Sequence, residues 1–150
     1  MRIGVIGAGY VGLVTGTCLA EMGNDVSIVD IAPDKIAKLR RGKSPHYEPG
    51  LGELLARNLE EKRLAFSTRL ADAVKGQQAV FFAVGTPQDE RGAADLSFLE
   101  AAMRDVARAL DGDRLLIIKS TVPVGTNRRM TALVKQHTRH DFALASNPEF

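Results

Sequence analysis

The stretch GAGYVG, which begins at Gly7, follows the apolar run RIGVI and opens a segment with helical periodicity. Its glycines match the G-x-G-x-x-G pattern of a strand–turn–helix unit. Gly7 permits a tight turn, Gly9 lets the backbone approach a diphosphate, and Gly12 lets the helix pack close to the strand. Amide groups near Tyr10 and Val11, at the positive end of the helix dipole, would face that diphosphate. A glycine-rich turn that serves packing alone is the alternative.

An acidic residue, Asp30, stands at the end of the next predicted strand, 18 residues after Gly12. A carboxylate there can accept hydrogen bonds from both hydroxyls of an adenosine ribose, and it repels a 2′-phosphate. Because Ile31 and Ala32 follow rather than an arginine, the pattern predicts NAD and not NADP. FAD uses the same turn and stays open. The carboxylate could also cap the helix that begins at Pro33, and the two roles can coexist.

Short β-branched runs alternate with longer helical patterns along the whole chain. Strands are predicted at 2–6, 25–30, 65–67, 79–84, 114–119 and 142–145, and helices at 10–22, 33–41, 50–60, 68–75, 97–110 and 126–137. Near-continuous apolar strands suit parallel pairing with both faces covered. The alternation therefore predicts an α/β fold with a doubly wound parallel sheet of the Rossmann type, in three αβα layers. The segments 44–50 and 88–94 are predicted as loops.

Composition narrows the class of protein. The chain has 150 residues, of which 45% are hydrophobic and 25% charged, values that suit one globular domain. The formal net charge of +2 is spread along the sequence, so nucleic acid is not an expected partner. No stretch approaches the ~20 apolar residues of a membrane helix, and no membrane partner is expected.

Cysteine and histidine offer little chemistry of their own. Cys18 is the single cysteine, which rules out an intramolecular disulfide and a four-cysteine zinc site and fits a reducing cytoplasm. Within its helix Cys18 is predicted to be a small buried hydrophobe. His46 is predicted to lie at the surface. His137 and His140 lack further ligands of suitable type, so no metal site is expected.

Five segments in order along the chain carry a further signal: GAGYVGL at 7–13, YEPGL at 47–51, VGTP at 84–87, STVPVGT at 120–126 and NPEF at 147–150. Together they resemble the N-terminal domain of the UDP-glucose 6-dehydrogenase family, whose relatives oxidise GDP-mannose and UDP-N-acetylmannosamine. The resemblance implies that the backbone at Val11 meets the pyrophosphate of NAD. It also implies that Asp30 and Lys35 reach the adenosine ribose, and that Thr86 lines the cofactor site.

The same resemblance also implies which residues lie near the reacting nicotinamide and sugar. Thr121 would lie near the nicotinamide and help to position a water, with a turn-capping hydroxyl as the alternative. Glu149, with Phe150 beside it, would contact the reacting sugar, and a carboxylate at a strand end can handle protons. The residue-level case for Glu149 rests on the resemblance, because a surface glutamate would look the same in sequence.

The family converts the C6 alcohol of the sugar to a carboxylate with two NAD and one water, by way of a cysteine thiohemiacetal and a thioester. The resemblance places that cysteine, with a catalytic lysine and asparagine, beyond residue 150. We therefore expect residues 1–150 to be a truncated NAD domain, inactive alone, of a homo-oligomeric UDP-glucose 6-dehydrogenase that makes UDP-glucuronate for polysaccharide biosynthesis. The alternatives are a GDP-mannose or UDP-N-acetylmannosamine dehydrogenase and a non-catalytic NAD-binding module.

Overall fold

The computed structural model describes residues 1–88 and 92–149, and within them six strands alternate with five α-helices. The strands are β1 (Arg2–Ile6), β2 (Asp25–Val29), β3 (Leu64–Ser67), β4 (Ala79–Phe82), β5 (Arg114–Ile118) and β6 (Phe142–Ser146). The helices are α1 (Tyr10–Glu21), α2 (Pro33–Leu39), α3 (Leu51–Glu60), α4 (Ser97–Ala109) and α5 (Thr126–Lys135). All strand pairs are parallel, in the order β3-β2-β1-β4-β5-β6. The predicted doubly wound sheet is confirmed.

Successive residues of the strands enter two hydrophobic clusters on opposite faces of the sheet. On one face, Val5 and Ile28 belong to a cluster with residues of α1, α2 and α3. On the other face, Ile6 belongs to a cluster with residues of α4 and α5. Phe81 packs against the first cluster and Phe82 lies fully buried in the second. Helices therefore cover both faces, which gives the three predicted layers.

The order of the strands creates a crevice at one edge of the sheet. The chain leaves β1 towards β2 and β3 on one side, and returns to β4, β5 and β6 on the other. At such a reversal the connections after neighbouring strands diverge, and a cleft opens beyond the carboxyl ends of the strands. The segments that follow β1, β2, β4, β5 and β6 all meet at this edge.

The segment 68–75, predicted as an α-helix, forms only a 3₁₀ turn at Leu70–Ala73. The side chain of Asp72 accepts hydrogen bonds from Ser67 Oγ at 2.5 Å and from Arg69, which tie the turn to the end of β3. Gly76, with φ of +67°, then redirects the chain towards β4.

Cys18 is exposed, which makes the prediction of a buried cysteine wrong. Helix α1 buries Leu13, Thr17 and Ala20, among others, and residue 18 falls on the opposite side of the helix. Of the two predicted loops, 88–94 contains an antiparallel bridge between Gln88 and Ala94, and its residues 89–91 lie outside the described part of the chain. No helix of the described residues is long and apolar enough to cross a membrane.

Candidate dinucleotide and substrate site

The turn after β1 contains three glycines, and backbone packing within the protein requires two of them. Gly7 has a φ of +103°, and a Cβ there would lie 2.6 Å from the carbonyl oxygen of Ala83. A Cβ on Gly12 would lie 2.0 Å from the carbonyl oxygen of Gly7. Gly9 is different, because apart from Gly9 itself and its two chain neighbours no described atom lies within 4 Å of the position its Cβ would take. Packing therefore explains Gly7 and Gly12 but leaves open space above Gly9.

The N-terminus of α1 opens onto that same space. Gly9 is its N-cap residue, and within the described part of the chain no side chain caps the helix and no acidic residue lies in its first turn. The first amide that closes a helical hydrogen bond here is that of Leu13, which donates to the Gly9 carbonyl at 2.9 Å. The amides of Tyr10 and Val11 precede it and have no helical acceptor. Such a helix end suits an anion.

Asp30 lies directly after β2 and is held by three donors. Its Oδ2 accepts hydrogen bonds from the Ala8 amide at 2.9 Å and from Lys35 Nζ at 2.8 Å, and its Oδ1 accepts one from the Ala32 amide at 3.0 Å. Burial alone would raise the pKa of this carboxyl, but the hydrogen bonds from Lys35, Ala32 and Ala8 outweigh it and hold the pKa below its ordinary value. Asp30 is therefore a fixed, ionised carboxylate.

Asp30 retains acceptor capacity for a ligand. A carboxylate offers about four acceptor positions, and the three protein donors leave one free on Oδ1. The side chain is 10% exposed, while that of its partner Lys35 is 32% exposed and lies at the cavity wall. The bond to Ala32 also ties the residue to the start of α2, so Asp30 anchors the helix and can still accept a ribose hydroxyl.

Two cavities lie end to end along the carboxyl edge of the sheet. The first, of about 490 Å³, contains Asp30 and Lys35 and is walled by two exposed apolar side chains, Ile31 and Phe98. The second, of about 320 Å³, lies beyond the glycine turn. Its lining includes Tyr10, Val11, Thr86, Lys119, Ser120, Thr121 and Glu149. Both cavities share Gly9 and the segment 83–85 in their walls, so they are neighbours along this edge, and we call the two together the edge groove.

Hydrogen bonds join the ends of β4, β5 and β6 beneath the second cavity. Thr86 Oγ1 donates to the Thr121 carbonyl at 3.1 Å, and Thr121 Oγ1 donates to the Glu149 carbonyl at 3.1 Å. Ser120 Oγ donates to the Val84 carbonyl at 2.6 Å, and Lys119 Nζ lies 3.3 Å from Glu149 Oε2. Each of the three residues that follow β5 therefore contacts the segment after a neighbouring strand: Ser120 the one after β4, and Lys119 and Thr121 the one after β6.

The loop at 44–50 is attached to the glycine turn. Tyr10 Oη donates to Glu48 Oε2 at 2.7 Å, and the Tyr10 and His46 rings meet edge to face with centroids 6.0 Å apart. The hydrogen bond to Glu48 and the negative charge of that carboxylate raise the pKa of Tyr10, with a smaller contribution from the charge of Glu149. Sequence reasoning found no role for Glu48, and the structure shows that it tethers this loop.

The site residues from sequence therefore line the edge groove, with two exceptions: Gly12, which is buried against the Gly7 carbonyl, and Phe150, which lies outside the described residues. Sequence reasoning missed Ile31 and Phe98 at one end, and Lys119 and Ser120 at the other. Lys119 and Ser120 could have been suspected because they directly follow the apolar run of β5. Among the described residues, no cluster of His, Cys, Asp and Glu could hold a metal ion.

A glycine turn at a helix N-terminus, a carboxylate after the second strand and a groove at the strand-order reversal define a dinucleotide-binding domain of the Rossmann class. A family model described as the NAD binding domain of the UDP-glucose/GDP-mannose dehydrogenase family matches residues 1–150, and the chain belongs to that family. It is an NAD-binding domain of a family of nucleotide-sugar dehydrogenases.

Individual relatives agree with this assignment. The chain is 46% identical to the UDP-glucose 6-dehydrogenase of Pseudomonas aeruginosa, over 100% of this chain and 34% of that protein. A solved UDP-glucose dehydrogenase from Pyrobaculum islandicum superposes with a TM-score of 0.94 at 40% identity, over 99% of this chain and 36% of that one. A solved GDP-mannose dehydrogenase from Pseudomonas aeruginosa superposes with a TM-score of 0.95 at 34% identity, over 100% of this chain and 36% of that one. The chain thus spans about a third of the length of the relatives it matches.

Proposed function

We propose that this chain supplies the NAD site and part of the active site of an enzyme that oxidises UDP-glucose to UDP-glucuronate. The observation that carries the proposal is the pair of adjoining cavities in the edge groove, with Asp30 in the first, Glu149 in the second and Gly9 in the wall of both. An extended dinucleotide needs such a groove, with a ribose acceptor at one end and proton-handling groups at the other.

The adenosine half of NAD would occupy the first cavity. Asp30 Oδ1 has the free acceptor position that a ribose hydroxyl requires, and Lys35 lies beside it as a donor. The exposed side chains of Ile31 and Phe98 offer apolar surface to the adenine ring. The amides of the first turn of α1, above Gly9, would bind the diphosphate.

The nicotinamide and the C6 carbon of the sugar would meet in the second cavity. A dinucleotide held there by Thr86, Thr121 and the start of α1 would supply the hydride acceptor for that carbon. Thr86 and Thr121 line the cavity, and Glu149 presents a carboxylate to it for moving protons to and from water. Phe150 is proposed to contact the sugar. In the full oxidation two hydrides leave C6, one water supplies the second carboxylate oxygen, and three protons are released.

The rest of the protein would complete the site. Because the chain spans about a third of its relatives, we propose that a further segment carries the nucleophilic cysteine, most of the substrate contacts and the surface of a homo-oligomer. In this view residues 1–150 bind NAD and do not turn over alone. Location in the cytoplasm stays a prediction that rests on the single cysteine.

NADH formation by the full-length protein tests the proposal. We expect turnover with UDP-glucose and NAD, two NADH for each uronate formed, and little turnover with NADP. GDP-mannose and UDP-N-acetylmannosamine are offered in parallel. The second candidate is a GDP-mannose dehydrogenase, and it is supported by a superposition on such an enzyme that is as close as the one on the UDP-glucose dehydrogenase. No NADH with any of the three, although NAD binds, would identify a non-catalytic NAD-binding module.

A further inference from the structure

Lys119 belongs to no motif that the proposed function uses, yet its ammonium lies at the reacting end of the edge groove. We propose that Lys119 is a positioning residue that holds the carboxylate of Glu149 in place for proton transfer. This inference rests on the proposed function. The geometry that carries it is the pair formed by Lys119 Nζ and Glu149 Oε2, 3.3 Å apart, in the wall of the second cavity.

Glu149 is attached to β5 at two points. Its backbone carbonyl accepts a hydrogen bond from Thr121 Oγ1 at 3.1 Å, and its carboxylate pairs with Lys119. The residue follows the end of β6 and has no sheet partner of its own. The Thr121 contact fixes the main chain but leaves the side-chain torsions free. Lys119 is the contact that restricts where the carboxylate oxygens lie.

Burial and charge show why Lys119 turns towards Glu149. The Lys119 side chain is only 14% exposed, and a charged ammonium in such a place needs an anionic partner. The same cavity is lined by the first residues of α1, whose positive helix end disfavours a nearby cation. An acidic side chain at the cavity is therefore the favourable partner, and Glu149 supplies one.

Stability alone does not explain the pair. The Glu149 side chain is 47% exposed, and an ion pair whose carboxylate is open to solvent contributes little to folding. Placement matters far more for reaction, because a general base must lie within hydrogen-bond reach of the proton it moves. A shift of about 1 Å can lower a rate by on the order of a hundredfold. The pair therefore has more effect on turnover than on folding.

Variants of the full-length protein test this role. We expect Lys119→Met to lower kcat by about 10- to 100-fold with KM for NAD changed by less than about twofold. Lys119→Arg, which keeps a cation in reach, should recover most of kcat. In a Glu149→Gln background, Lys119→Met should lower kcat by less than about twofold more, because the two residues act through one contact.

The matched control is Lys75→Met, the same substitution at an exposed lysine before β4, at the opposite edge of the sheet. It should leave kcat unaltered. A second measurement needs no turnover: the side-chain carboxyl ¹³C signal of Glu149, assigned by its loss in Glu149→Gln, should move in Lys119→Met and not in Lys75→Met.

Two results would overturn the inference: equal kcat in Lys119→Met and Lys75→Met, or a Glu149 signal that does not respond to Lys119→Met. A parent protein without nucleotide-sugar oxidation would overturn the proposed function instead, and the ¹³C signal would still decide whether Lys119 positions Glu149.

Discussion

The two ends of the edge groove each present a carboxylate, but the protein holds them very differently. Asp30 is 10% exposed and accepts hydrogen bonds from Ala8, Ala32 and Lys35, which keep its pKa below the ordinary value. Glu149 is 47% exposed, and among the described residues its carboxylate forms one ion pair, with Lys119. One end is complete within this domain, whereas the other leaves its carboxylate open to solvent.

The difference fits the two roles proposed above for these carboxylates, a ribose acceptor for Asp30 and a proton-handling group for Glu149. A ribose acceptor binds most tightly when its charge and position are fixed before the ligand arrives, because little conformational entropy is then lost on binding. A proton-handling carboxylate must meet water and substrate, so part of its surface has to stay open until the substrate covers it. If the proposed function holds, the Asp30 end serves affinity for NAD and the Glu149 end serves proton exchange, so substitutions at the two ends should affect different measurements.

The largest effect on binding is expected at Asp30. Asp30→Ala removes the free acceptor on Oδ1 and releases Lys35, so we expect NAD to bind about 10- to 100-fold more weakly, or ~1–3 kcal/mol. Calorimetric titration of the full-length protein with NAD measures this change. Glu149→Gln, at the other end, should lower kcat and leave NAD affinity nearly unchanged.

Asp25→Ala is the matched control for Asp30→Ala. Asp25 lies at the other end of the same strand, β2, is exposed, and is far from the carboxyl edge. It should bind NAD as the parent does. Equal affinities in the two variants would show that Asp30 does not contact the ribose and that its three hydrogen bonds serve only the start of α2.

A smaller loss of NAD affinity is expected at Gly9, where the effect of a substitution on NAD binding can be separated from its effect on stability. Gly9 has a φ of −71°, which alanine adopts, and apart from its two chain neighbours no described residue has an atom within 4 Å of its Cβ position. Gly9→Ala should therefore keep the free energy of unfolding within about 1 kcal/mol of the parent, yet weaken NAD binding about tenfold because the methyl group enters the diphosphate space.

Gly12→Ala and Gly52→Ala complete that comparison. A Cβ on Gly12 would lie 2.0 Å from a backbone oxygen, so Gly12→Ala should lower stability by about 1–3 kcal/mol or more. Gly52 is an exposed helical glycine with open space where a Cβ would lie. Gly52→Ala should therefore lower neither the free energy of unfolding nor the affinity for NAD. Unweakened NAD binding by Gly9→Ala would mean that the diphosphate does not lie above Gly9.

Much of the binding end could be predicted from sequence because its geometry is local. The spacing from the glycine turn to Asp30 spans one strand–helix–strand unit, and its three glycines and one carboxylate are close in the chain. Phe98 could not be found in this way, and the only local signal for Lys119 is that it directly follows the apolar run of β5. They reach the edge groove because β4 and β5 lie beside β1 after a long crossover, and that neighbourhood is a property of the whole sheet.

The wrong predictions have equally specific causes. Helix α1 carries small and apolar residues on every side, so its sequence does not reveal which face is buried, and Cys18 was placed on the wrong one. The apolar spacing at 68–75 resembles a helix, but hydrogen bonds from Ser67 and Arg69 to Asp72 stabilise a shorter turn. Side-chain bonds of this kind compete with helix formation and are hard to read from periodicity.

The smallest effect is expected at Tyr10, which joins the glycine turn to the loop at 44–50. Its phenol donates to Glu48 at 2.7 Å, and losing the proton would place two negative charges side by side. The pKa of Tyr10 is therefore raised above its ordinary value, and Glu48→Gln should lower it. Tyr10 and Tyr47 are the two tyrosines of the 150-residue chain, so Tyr47→Phe leaves one phenol to follow by ultraviolet absorption as pH rises.

The order of the responses then tests how Tyr10 relates to the two ends of the edge groove. In the Tyr47→Phe background, Glu48→Gln should lower the titration midpoint of Tyr10 more than Glu149→Gln does, because the hydrogen bond and charge of Glu48 contribute more to the raised pKa than the charge of Glu149. A midpoint that ignores Glu48→Gln would mean that the loop is not tied to the glycine turn in solution. A larger response to Glu149→Gln would instead place the phenol closer to the reacting carboxylate, as a donor to the reacting end rather than a tether for the loop.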